Sequence, residues 1–91
     1  MKTSSFKKGK IDVELLKFYQ DNCAPCKSVD SYLKSLDVKY SSINVYENPD
    51  KASEYGIISI PVVILLNDEG IEVKRSIGFK PEEIKQMTAN L

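Results

Sequence analysis

Histidine and tryptophan are absent from this chain of 91 residues, and cysteine occurs only twice. A structural zinc site takes four ligands of Cys or His type, so two thiols without histidine complete one only with carboxylates or with a second chain. Long apolar runs are missing too. The longest, Val62 to Leu66, falls far short of the ~20 residues of a membrane span. No apolar stretch follows the N-terminal lysines at the length a signal peptide needs, so nothing points to export and the cytosol is the expected compartment. An excess of one charge is lacking as well, with 13 basic and 13 acidic residues. The distribution is nevertheless uneven, because Lys2, Lys7, Lys8 and Lys10 stand in the first ten residues with no acid among them. The remainder is mildly acidic, which argues against a nucleic-acid binder with a clustered basic face.

What is present suffices for one core. Apolar residues make up 42% and charged ones 29%, close to a globular average and far from a disordered composition. Residues 1–10 read as a flexible basic arm and residues 11–91 as a single domain.

The two cysteines stand close together in Asn22-Cys23-Ala24-Pro25-Cys26-Lys27. A structural bridge across so short a loop removes little unfolded-state entropy and adds little stability. In a chain without export signals, a close pair is more often redox-active than structural. Ile11 to Tyr19 is a β-branched and aromatic mixture that reads as a strand, while Val29, Tyr32, Leu33 and Leu36 repeat at helical spacing. The pair therefore falls at a strand-to-helix junction. Pro25 suits a first helical turn, where its missing N–H costs nothing. Cys23 is expected at the helix N-terminus, where free N–H groups, the helix dipole and Lys27 favour a thiolate. Cys26, one turn in, is expected deeper. Cys23 is then the attacking thiol and Cys26 the resolving one.

The rest of the chain alternates. Val38 to Val45 reads as a second strand, and Asn48-Pro49 to Tyr55-Gly56 brackets a short helix. Ile60 to Leu66 and Ile71 to Ile77 read as a hairpin turning at Asn67 to Gly70. Lys80-Pro81 opens a last helix carrying Ile84, Met87 and Leu91 at helical spacing. The order β-α-β-α-β-β-α predicts an α/β fold with a four-stranded mixed sheet, its first two strands parallel and helices on both faces. Proline at a strand start is unusual, and base rates alone do not decide the isomer of Ile60–Pro61.

Cys23-Ala24-Pro25-Cys26-Lys27, together with Tyr55 to Pro61 followed by Val62 to Leu66, resembles the thioredoxin family across about Ile11 to Leu91. The resemblance implies the thioredoxin fold and a dithiol that reduces disulfides in protein substrates. It also implies a cis Ile60–Pro61 bond facing the cysteines, with Ile60 pairing with a substrate strand and Gly78 flanking the same groove. Ile60 to Ile64 with Gly78-Phe79-Lys80-Pro81 is similar also to small glutaredoxin-like redoxins that deliver electrons to ribonucleotide reductase and are reduced by thioredoxin reductase. Ile60, Pro61, Gly78 and Phe79 are accordingly the expected substrate-binding residues. NADPH-dependent thioredoxin reductase is the expected electron source, and ribonucleotide reductase an alternative acceptor. The expected form is a monomer with no bound metal or organic cofactor, only the Cys23–Cys26 disulfide. A non-catalytic binding module on the same fold is the rival reading.

The chain departs from these relatives in three features. Asn22 stands where thioredoxins carry tryptophan. Lys17 stands where they carry a buried aspartate that accepts the proton of the resolving thiol. A lysine serves as such a relay only when burial depresses its pKa, so Lys17 is expected to extend to water and do no chemistry. Gln20 and Ile77-Gly78-Phe79 lack the basic residue, second glycine and acid of glutathione-using glutaredoxins.

Overall fold

The computed structural model describes residues 14–89 and Leu91; the expected N-terminal arm lies outside the described residues. Its elements are β1 (Glu14–Tyr19), α1 (Ala24–Ser35), β2 (Ser41–Asn44), α2 (Pro49–Glu54), β3 (Val62–Leu66), β4 (Glu72–Ile77) and α3 (Pro81–Met87). They form one four-stranded sheet in the order β2-β1-β3-β4. β1 runs parallel to β2, with Leu16 opposite Ser41, and antiparallel to β3, with Leu16 opposite Ile64. β3 and β4 form the antiparallel hairpin. The α/β architecture read from the sequence is therefore the one observed.

Period-two alternation sorts the central strands onto two apolar layers. Leu15 and Val63 pack with Val29 and Leu33 of α1 and with Ile84 and Met87 of α3. Leu16, Phe18, Val62, Ile64 and Leu66 fill the opposite face under Tyr55 and Ile57, which follow α2. Phe18 and Tyr55 meet there with ring centroids 5.6 Å apart. Burial on both faces is why Val62 to Leu66 is continuously apolar instead of alternating.

Turn chemistry sets the element ends. α2 closes with Gly56 at φ +62°. The Gly56 and Ile57 N–H groups donate to the Ser53 and Ala52 carbonyls at 3.0 and 2.8 Å, a paired bond that satisfies the last turn. Asn67 accepts from Glu69 and Ile71 N–H through its side chain, which holds the hairpin turn.

Some boundaries differ from the sequence reading. β2 is only Ser41–Asn44, because Val38 and Tyr40 pack against the α1 layer instead of extending the strand. β3 begins after Pro61. Asn48 occupies the N-cap of α2 without a side-chain capping bond; its amide donates to the Asn44 carbonyl instead. Leu91 lies beyond α3 and is exposed, so it does not continue the stripe of Ile84 and Met87.

Leu33 is fully buried where α1 meets the sheet. Leu33→Ala should lower unfolding stability by about 2–5 kcal/mol. A urea midpoint shifted downward at constant slope checks this.

Candidate active site

Between β1 and α1 the chain turns at Asp21-Asn22, and Asn22 takes φ +58°. Asparagine tolerates this left-handed conformation better than bulkier side chains. A small polar residue at this position therefore has a backbone reason. Cys23 follows as N-cap of α1 in extended conformation, φ −117° and ψ 104°. Its Sγ accepts from the Cys26 N–H at 3.1 Å, and its carbonyl accepts from the Lys27 N–H at 3.1 Å. Pro25 lies in the first turn, which contains no acidic residue. Cys23 and Cys26 are joined as a disulfide, with Cα atoms 5.2 Å apart. Both cysteines are buried in the disulfide, Cys23 at 8% exposure and Cys26 at 3%.

Lys17 does not reach water as expected from the sequence. Its side chain is 7% exposed, and Nζ lies 2.8 Å from Asp30 Oδ1. The physical reason is its strand: Lys17 shares the α1-facing side of β1 with Leu15 and is covered by α1, so the ammonium must find a buried partner. Nζ also lies 4.8 Å from the centroid of the Tyr19 ring and 5.5 Å from that of Tyr40, a cation–π arrangement. The Tyr40 hydroxyl donates to the same Asp30 oxygen, while Lys34 Nζ sits 3.0 Å from Oδ2. Asp30 is thus held well below the usual carboxylate range, first by the Lys17 hydrogen bond and then by Tyr40. Burial, then the charge-assisted bond to Asp30, pushes the Tyr40 hydroxyl up to about 12.

Lys17, Cys26, Lys27 and Asp30 line one cleft of about 380 Å³, together with Gln20, Asp21 and Ser31. Lys27 borders a second, shallow cleft with Tyr32 and Phe79. Phe79 is 41% exposed and packs edge-on against Tyr32 at 6.2 Å. The Ile60–Pro61 bond is cis. Pro61 is buried, and its carbonyl accepts the Gly78 N–H at 2.8 Å. Gly78 takes φ +85°, a conformation that explains glycine there. Two groups of expected site residues are therefore assembled: Cys23, Cys26, Lys27 and Lys17 at α1, and Pro61 with Gly78 at the β3–β4 ends.

Asp30 and Tyr40 were not singled out from the sequence. One signal pointed to Asp30: a lysine inside an apolar strand needs an anion, and Asp30 lies four residues after Cys26 on the same helix face. Ile58, 98% exposed just ahead of Pro61, is a further exposed apolar residue beside this segment.

A family model described as thioredoxin matches residues 3–90. The SPbeta prophage-derived thioredoxin-like protein YosR of Bacillus subtilis is 40% identical over 79 residues, covering 87% of this chain and 99% of that one. Thioredoxin of the same bacterium is 39% identical over 84 residues, covering 86% and 80%. Among solved structures, a mutant thioredoxin from Halobacterium salinarum superimposes with a TM-score of 0.75 at 32% identity, covering 84% of this chain and 71% of that one.

The Asp30 environment predicts a pH dependence. An aspartate titrates near 3.8 when unperturbed and lower here, so the unfolded state binds more protons than the native state over the acidic range. The stabilisation is complete above about pH 4 and is lost as pH falls toward the native value. Urea midpoints should drop more steeply between about pH 4 and pH 2 in the wild type than in Asp30→Asn. Equal slopes would contradict the ion-paired assignment.

Proposed function

Because the chain belongs to the thioredoxin family and is a thiol–disulfide oxidoreductase acting on disulfide-containing proteins, we propose that it works as their reductant, with Cys23 as nucleophile and Cys26 as resolving thiol. The observation that carries this reading is the capping position of Cys23, whose sulfur accepts the Cys26 N–H in the first turn of α1. Negative charge on that sulfur is favoured by the helix dipole and by the absence of acids in the first turn. Reduced Cys23 attacks one sulfur of the substrate disulfide, and the other leaves as a thiolate that takes a proton. Cys26 then displaces the substrate from Cys23, closing the internal disulfide, so two electrons pass from the dithiol to the substrate.

The exposed Ile58, the half-buried Ile60 and the aromatic pair Tyr32–Phe79 support a substrate surface spanning the Pro61–Gly78 bond. Electrons stay on sulfur throughout, so the proposed cycle uses no bound cofactor or metal. The proposed compartment is the reducing cytosol, and the proposed working form a monomer. No helix among the described residues is long and apolar enough to cross a membrane. Ribonucleotide reductase, suggested by the likeness of the Gly78–Pro81 loop, is a candidate acceptor within this substrate class.

Alkylation of the reduced chain at neutral pH should label Cys23 before Cys26. Cys26→Ser should accumulate mixed disulfides with substrate and Cys23→Ser none; preferential labelling of Cys26 would reverse the roles. For recycling, NADPH with a thioredoxin reductase should sustain turnover, whereas glutathione with its reductase should give little. Phe79→Ala should raise the apparent KM for the reductase severalfold at unchanged Cys23 alkylation rate. Efficient turnover by glutathione alone would move the protein out of this class, and no turnover from any dithiol source would favour a binding module.

A further inference from the structure

Beneath the resolving cysteine the buried charge has the opposite sign to the one its relatives imply, and the geometry gives that reversal a role. We propose that Lys17 is the buried cation that stabilises the Cys26 thiolate in the resolving step, an inference that rests on the dithiol mechanism proposed above. The placement is fixed from two directions. On β1, Lys17 lies on the α1-facing side of the strand, nearly inaccessible to water. On α1, Asp30 stands one turn beyond Cys26 on the same face, and its Oδ1 holds the Lys17 ammonium at 2.8 Å. Lys17, Cys26 and Asp30 consequently line one cleft, in which charges are screened less than at the open surface.

The groups around that cleft decide which of them handles the proton. Tyr19 on β1, Asp21 in the connecting turn, and Lys27 and Asp30 on α1 line the cleft with Lys17 and Cys26, while Tyr40 ahead of β2 reaches Lys17 and Asp30, and the exposed Lys34 reaches Asp30. Asp30 is a poor base, because Lys17, Tyr40 and Lys34 all address its carboxylate. Tyr40 donates its hydroxyl proton to Asp30. An ammonium accepts no proton. The Asp30 charge is shared between two ammonium groups, so the trio carries a net positive charge beside the cleft that Cys26 lines. Cys26 therefore loses its proton to water at the mouth of the cleft, and the electrostatic help is given to the anion that remains. That thiolate attacks Cys23 Sγ, the Cys23–Cys26 bond forms, the bond to substrate breaks, and the electron pair leaves on the substrate sulfur, which is protonated by water. A buried carboxylate in the same place would take the proton but oppose the thiolate. Here the two effects are exchanged.

A stopped-flow reaction of the reduced full chain with a substoichiometric amount of the disulfide of thionitrobenzoate separates the two thiols. The first, bimolecular release of thionitrobenzoate reports Cys23, and the second, concentration-independent release reports attack by Cys26. In Lys17→Met the second phase should slow about tenfold at neutral pH, its midpoint moving up by about one pH unit, with the first phase changed less. Lys17→Arg should restore both rate and midpoint. If Lys17→Met alone does not fold, Lys17→Gln removes the positive charge while keeping a donor for Asp30, and should show the same upward shift. A second phase whose midpoint is unchanged or moves down in the variant that folds would overturn the role of Lys17. A wild-type chain without a second phase would overturn the dithiol mechanism itself, and this inference with it.

Discussion

Strand β1 has a neighbour on each edge and an apolar layer on each face, so every side chain from Leu15 to Phe18 must find its partner inside the molecule. For Leu15, Leu16 and Phe18 that partner is packing. For Lys17 it has to be an anion and aromatic rings, and α1, the segment before β2 and β1 itself supply Asp30, Tyr40 and Tyr19 within a few ångströms. The ion pair thereby couples the strand that leads into the site to the helix that carries it. Removing one partner from such a pair is far more costly than the pair's net contribution suggests, since the other charge is left buried.

The same strand delivers Cys23. Its end at Tyr19, the left-handed step at Asn22 and the extended Cys23 place a sulfur at the N-terminus of α1, where N–H groups lack intrahelical partners. With Pro25 in the first turn and no acid there, nothing local competes for the positive end of the helix. Cys26 falls one turn further along α1, buried, and lines a cleft with Lys17. Two buried cysteines three residues apart thus receive different neighbours: a helix N–H group for Cys23, and a cleft shared with Lys17 and Asp30 for Cys26.

Most of this was legible because the signals were local. Proline at the start of all three helices, glycine at the end of α2 and in the hairpin turn, and the unbroken Val62–Leu66 run each report the backbone directly. The cysteine spacing at a strand-to-helix junction located the redox pair. The cis Ile60–Pro61 bond was legible only by resemblance, since nothing in Ile-Pro itself selects the isomer. The shortening of β2 was not legible, because Val38 and Tyr40 have strand-like side chains but are drawn to the α1 layer by a tertiary contact. The Lys17 partner escaped for a related reason. Whether a strand lysine reaches water depends on what covers its face, and that is decided by residues 13 to 23 positions away.

In the proposed cycle, capping α1 turns Cys23 into a thiolate nucleophile. The most direct measurement is a pH titration of ultraviolet thiolate absorbance in the reduced Cys26→Ser chain, which leaves Cys23 as the only thiol. The account predicts a midpoint below the ~8.5 of an unperturbed cysteine, so that a substantial fraction is ionised at neutral pH. A midpoint at or above that value would contradict it, because the helix terminus would then contribute nothing to the sulfur it holds.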